Sequence, residues 1–224
     1  MYRLISNLLL HRKLRFERGK IVLLGQPMVF IPLEYLIEET KRILEEKNFK
    51  EMMMLYLDAW KAGVLFMRSF VKQFRVRSFA DRYTLAMEIV SMAGFGDYKT
   101  MDFDSYNYAY FEIINNPLAE AFYPYEKPVD FILRGSNAGG GSIVHERIIN
   151  TLELECKAVS GRKCVHLNAS TPVLQKFKDQ KLVKEQLDLK WLIPRQIEFI
   201  KKIKATDIIK IYSEDTEIKK NKNI

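Results

Sequence analysis

Cysteine is scarce, with two in 224 residues. That excludes a disulfide scaffold and leaves three uses open: inert core residues, a metal pair or a redox pair. Histidine is nearly as rare, at three. No run of eighteen uncharged apolar residues occurs, so a membrane-spanning helix is not expected. The patch Leu8 to Leu10 runs straight into His11-Arg12-Lys13 without a small-residue cleavage site. It reads as structure rather than a secretory signal, and a cytoplasmic location is expected. There is no glycine-rich turn between a strand and a helix. Gly139-Gly140-Gly141 sits in a helical context and precedes a strand, so dinucleotide chemistry has no support. No Ser/His/Asp spacing stands out, and there is no internal repeat.

Apolar residues are plentiful, at 48%, with 12% aromatic, which suffices for a packed core. The net charge of +8 invites a nucleic-acid partner, but 28 acidic residues are interleaved with 36 basic ones. Half of the excess falls in residues 181–224, and no helix-turn-helix pattern accompanies it. A solvated lysine-rich surface is the expectation. Residues 1–170 read as one domain and residues 171–224 as a helical extension with a polar tail.

Along the chain, residues 12–31 alternate and turn like a small meander, broken at Arg18-Gly19 and Gly25-Gln26-Pro27. Pro32 suits a helix start. A second helix is expected over Lys50 to Phe74, with an apolar arc too wide for a surface helix. Ser78 with Asp81 predicts the cap of a third, ending near Gly94. Tyr98 to Ile114 then turns aromatic and β-branched, giving one or two strands with Tyr106, Tyr108 and Tyr110 on one face. Pro128 opens a helix over Val129 to about Ile149. It contains Arg134-Gly135-Ser136-Asn137-Ala138-Gly139-Gly140-Gly141, and glycines there cost up to about 1 kcal/mol each against alanine. Something must approach that helix closely. Thr151 to Ala158 and Lys163 to Asn168 form a hairpin. A last amphipathic helix runs from Ile193 or Pro194 to about Lys204, with fraying beyond Ser213.

The hairpin holds Glu153-Leu154-Glu155-Cys156, a turn, and then Cys164-Val165-His166. Two thiolates and a carboxylate are ordinary zinc ligands. Two hairpin cysteines that merely pack are an equally natural outcome of spacing alone. His166 shares strand parity with Cys164 and is an alternative ligand; His145 is a more distant one. In a flat strand Glu153 and Cys156 point to opposite faces, so a bulge near Glu155 has to re-aim one of them.

Glu-x-x-Cys, a glycine-bearing turn, and a second cysteine eight positions after the first resemble the C-terminal hairpin of the 4-vinyl reductase domain family. So does the helix Phe131-Ile132-Leu133-Arg134-Gly135-Ser136-Asn137-Ala138-Gly139-Gly140. Tyr56-x-x-x-Trp60-x-x-Gly63 resembles the family's aromatic, glycine-bearing helix. The resemblance covers roughly residues 25–170 and is closest to a stand-alone archaeal member. It implies an α+β fold, an antiparallel sheet packed against a helical layer. That fold is shared with a vesicle-tethering subunit and similar to that of nitric-oxide sensors. It also implies a small-molecule sensor, often homodimeric. In the phenol-sensing members three cysteines and a glutamate bind zinc. Glu153, Cys156 and Cys164 match three of these, and the remaining cysteine, 23 positions before the glutamate, is Asp130 here. Aspartate can ligate zinc, so the implied set is Asp130, Glu153, Cys156 and Cys164. Four protein ligands leave no open position, which makes the zinc structural.

A binding cavity should be mostly apolar with a few placed polar groups. Trp60, Phe66, Tyr83, Tyr108, Tyr110 and Phe131 are the candidates, against the alternative that they are simply core. The phenol sensors grip their ligand with a histidine and a tryptophan, and that histidine has no counterpart here. A more hydrophobic ligand is therefore expected. The leading expectation is a sensor-type regulatory domain. A dimeric scaffold protein and a reductase-type enzyme are the alternatives.

Overall fold

The structure is a computed structural model that describes residues 13–23 and 25–217; the Leu8 to Leu10 patch lies outside them. Three short strands come first: β1 (Leu14–Glu17), β2 (Lys20–Leu23) and β3 (Gln26–Met28). Glu17 pairs with Lys20, leaving Arg18-Gly19 as a two-residue hairpin turn, with Gly19 at φ 66°. Pro27 is tolerated because β3 is an edge strand and owes no ladder donor on its outer side.

Helices α1 (Leu33–Glu45), α2 (Phe49–Phe74) and α3 (Phe79–Met92) follow. Asn48 caps α2 by accepting from the Glu51 N–H, and Ser78 caps α3 by accepting from the Asp81 N–H. Met53, Tyr56, Trp60, Val64, Met67 and Phe70 are buried along α2, the wide apolar arc that the sequence predicts. Strands β4 (Asp97–Asp104) and β5 (Tyr108–Ile114) form a hairpin. Asp104 accepts from the Tyr106 and Asn107 N–H groups in its turn. Tyr106 therefore sits in the turn, exposed, instead of sharing a strand face with Tyr108 and Tyr110.

A short helix α4 (Pro117–Ala121) leads to α5 (Phe131–Val144). This helix is shorter than the pattern suggests at both ends, and Ile149 belongs to the next strand. β6 (Ile149–Glu155), a turn of helix α6 (Lys157–Ser160) and β7 (Cys164–Ser170) complete an antiparallel sheet in the order β4-β5-β7-β6. Helices α7 (Thr171–Gln175), α8 (Gln180–Gln186), α9 (Leu189–Lys202) and α10 (Ser213–Glu217) close the chain. α9 starts at Leu189, ahead of the expected Pro194, because Asp188 caps it by accepting from the Trp191 N–H. The segment from Ser213 is ordered into a helical turn by Asp215, which is buried and bonded to Thr171.

The fold is α+β, with the antiparallel sheet against a helical layer. α5 lies on the sheet, and α2 crosses it closely from the other side. The glycines make this possible. A β-carbon on Gly139 would overlap the Trp60 carbonyl oxygen and lie 2.9 Å from the Val64 nitrogen. Leu192, Ile193 and Ile200 of α9 join the same core, and Trp60 meets Phe199 edge-on at 6.1 Å. Among the described residues no helix is long and apolar enough to cross a membrane.

Candidate metal centre and inner cavity

Four elements meet at one end of the sheet. Asp130 occupies the N-cap position of α5, yet its side chain makes no capping bond. Its carboxylate turns toward the sheet instead, where Oδ2 accepts from Asn116 Nδ2 at 2.7 Å. Glu153 lies on the inner face of β6. The register slips by one between Glu153 and Glu155, so Leu154 is a bulge and the side-chain parity inverts. Cys156, just past the strand, thereby faces the same way as Glu153. Cys164 opens β7, and its sulfur accepts from the Lys157 N–H at 3.3 Å, with Asn116 Nδ2 at 3.6 Å.

One donor atom from each of Asp130, Glu153, Cys156 and Cys164 lies within 4.8 Å of the other three, and all four residues are buried. Zinc bonds of about 2.0–2.3 Å would place tetrahedral donors roughly 3.3–3.8 Å apart, so a small contraction closes the set. The residues fit such an ion on a second ground. Both Glu153 carboxylate oxygens and Asp130 Oδ1 are buried without any hydrogen-bond partner. Orphaned buried carboxylates are costly unless a cation or proton answers them. Burial, and then the neighbouring Asp130, raise the pKa of Glu153. The hydrogen bond to Cys156, and then burial, push up that of the Cys164 thiol. Without a cation the cluster therefore retains protons, and a metal ion would take their place. Two sulfurs and two oxygens are a donor set that zinc accepts.

His166 borders the cluster. Its Nε2 is 3.6 Å from Asp130 Oδ2 and 3.9 Å from Glu153 Oε1. Burial pulls its pKa down, but the two carboxylates outweigh it and the net direction is up. Its Nδ1 is 3.3 Å from Asn137 Nδ2, and Asn137 in turn meets the Tyr98 hydroxyl. His145 is elsewhere, at the C-cap of α5 with Nδ1 2.9 Å from the Ser105 carbonyl oxygen. Burial depresses its pKa to about 4.

An inner cavity of about 40 Å³ lies between α2, α3 and α5. Phe66 and Tyr83 line it, with Met87, Asn137, His145 and Asn168. The other four aromatics expected there do not line it. Trp60 is fully buried and donates from Nε1 to the Ile149 carbonyl, pinning α2 to β6. Phe131 is buried in the first turn of α5. Tyr108 and Tyr110 are on the opposite face of the sheet from Phe111, and the Tyr108 hydroxyl bonds Asp102. Asn116, Asn137, Asn168 and Gln186 are site residues that sequence reasoning passed over. Asn168 carried a signal, since asparagine is depleted in strands. Gln186 carried none. Its amide completes the edge of β6 by accepting from the Glu153 N–H and donating to the Glu153 carbonyl.

No family model matches the chain, and no curated protein matches it in sequence. Among solved structures it is similar to the phenol-responsive sensory domain of the transcription activator PoxR with phenol. The TM-score is 0.66 over 82% of this chain and 96% of that one, at 19% identity. The chain has the fold of that sensory domain. At this identity the likeness establishes architecture, and the chemistry has to be argued from the residues.

Proposed function

We propose that the chain is a small-molecule-responsive regulatory domain of the 4-vinyl reductase type, built around a structural zinc ion on Asp130, Glu153, Cys156 and Cys164. The observation that carries this is the convergence of four buried donors, three of whose carboxylate oxygens have no other partner. When bound, zinc supplies a fixed positive charge that ties the β6–β7 hairpin to the start of α5. Asn116 and the Lys157 N–H hold the ligands from behind.

Sensing belongs to the inner cavity. Its walls are apolar, with the amides of Asn137 and Asn168 as hydrogen-bonding groups. An effector is therefore a hydrophobic molecule with a polar handle. The cavity is smaller than the roughly 150 Å³ that holds a benzene, so binding requires its walls to part. Asn137 lines the cavity and meets His166, which faces Asp130 and Glu153. A ligand that captures Asn137 thus alters the surroundings of the centre. Native mass spectrometry of the chain from its own host tests the proposal. A zinc adduct together with a retained small molecule supports it; a chain with neither defeats it.

A second proposal, a homodimeric interaction module without a ligand, is favoured by one feature. Phe16, Val29, Phe30, Ile31 and Tyr35 are exposed on the meander and the start of α1, with Phe30 at 83%. A cluster of this kind suits an interface. Sedimentation of the wild type and of Phe30→Asp distinguishes a dimer that dissociates on charge insertion from a monomer.

A further inference from the structure

A groove of about 410 Å³ opens where the end of α1, the start of α2, the Lys127-Pro128 segment and α8 meet. That is within the roughly 300–1,000 Å³ of small-molecule sites. No residue lines both this groove and the inner cavity. One wall is apolar, formed by Ile43, Leu44, Phe49, Met52 and Leu182.

The charges around it do not balance. Lys47, Lys127 and Arg134 line the groove against a single carboxylate, Glu185. Glu185 is 3.7 Å from Lys181 and Lys127 is 3.7 Å from Glu126, which leaves Lys47 and Arg134 as the excess. The first turn of α2 also borders the groove, and the N-terminus of a 26-residue helix adds positive potential. Arg134 is the decisive residue. It is 2% exposed, its Nη1 bonds Gln186 Oε1 at 2.7 Å, and its Nε has no hydrogen-bond partner. No carboxylate hydrogen-bonds this guanidinium among the described residues. A buried guanidinium with an open donor, beside an apolar wall, suits an anionic head on a hydrocarbon chain.

We propose that this groove binds an amphipathic carboxylate, with its head among Arg134, Lys47 and Lys127 and its chain along Leu44, Phe49, Met52 and Leu182. The groove shares no lining residue with the inner cavity, whereas Arg134 lies within electrostatic reach of Glu153 and Asp130 at the metal centre. Titration of the full chain with octanoate and with octan-1-ol, followed by amide chemical shifts, tests it. Octanoate is expected to bind saturably and shift residues 47–52, 127 and 182–186. The alcohol should bind at least about tenfold more weakly, the worth of one charge-assisted bond. The double variant Lys47→Glu/Lys127→Glu changes only exposed side chains, leaves Arg134 in place, and should reduce the preference for the acid without weakening the alcohol. Leu44→Trp should block both ligands while the spectrum stays folded. Absence of octanoate binding, equal binding of the alcohol, indifference to the charge reversal, or shifts centred on Phe66 and Tyr83 would each overturn the proposal.

Discussion

Two neighbouring glycines on α5 should respond to the same substitution with opposite signs. At Gly139 a new β-carbon would overlap the Trp60 carbonyl oxygen and stand 2.9 Å from both the Trp60 carbonyl carbon and the Val64 nitrogen. These are backbone atoms of a long helix and cannot swing aside. Relief requires α2 and α5 to separate, which strains the Trp60–Ile149 and Tyr56–Thr151 hydrogen bonds carried by α2. Overpacking of this kind costs about 1–3 kcal/mol or more, and alanine's better helix propensity returns up to about 1 kcal/mol. At Gly140 nothing lies within 4 Å of the new carbon. Only the propensity gain remains there. At the upper end of that cost Gly139→Ala is expected to lose about 2 kcal/mol net, a fall in Tm of roughly 4–8 °C for a domain of this size. Gly140→Ala should gain up to about 1 kcal/mol. Thermal unfolding of both variants, backed by urea titration, reads the difference. Equal shifts, or a more stable Gly139→Ala, would refute the close-crossing argument.

Three further outcomes are expected. Chelation of zinc-loaded protein should lower Tm by roughly 5–11 °C relative to free zinc at a hundred times Kd, because binding at that level contributes about 2.7 kcal/mol; an unchanged melting curve contradicts a structural ion. His145 is held neutral by burial, with its pKa at about 4 against an ordinary 6.5. Between those values the unfolded chain binds more protons, so stability falls as pH drops through that window, by about 3 kcal/mol in all. His145→Gln should lose less than the wild type over the same window, and parallel stability curves would dismiss the assignment. Gln186→Ala leaves the Glu153 backbone pair without a partner and Arg134 with only its long 3.5 Å bond to the Gln186 backbone carbonyl, at a cost of about 2–4 kcal/mol in chemical denaturation; a loss below about 1 kcal/mol would show that water replaces the amide.

Much of the architecture was legible because its signals are local. Ser78 caps its helix from adjacent sequence, and Arg18-Gly19 makes its turn alone. The start of α9 differs from the expectation because proline at position 194 suggests a first turn, whereas Asp188 supplies a cap six residues before it. At the site, Glu153, Cys156 and Cys164 stood close enough in sequence to be grouped, and the required bulge could be placed by parity alone. Asp130 came only from a spacing shared with a family. The cavity was less legible. Alternation separates Tyr108 and Tyr110 from Ala109, Phe111 and Ile113, but both sets are apolar, so the pattern does not say which face is inward. Asn137 and Gln186 act through contacts 29 and 33 residues away in sequence, which no local pattern encodes.

The central claim is that these four side chains form one metal centre. X-ray absorption at the zinc edge of zinc-loaded protein tests it most directly. Two sulfurs at about 2.3 Å and two oxygens at about 2.0–2.2 Å are expected, with the sulfur shell reduced to one in Cys164→Ser. A shell of nitrogen and oxygen alone, or protein that holds no zinc, would contradict the account.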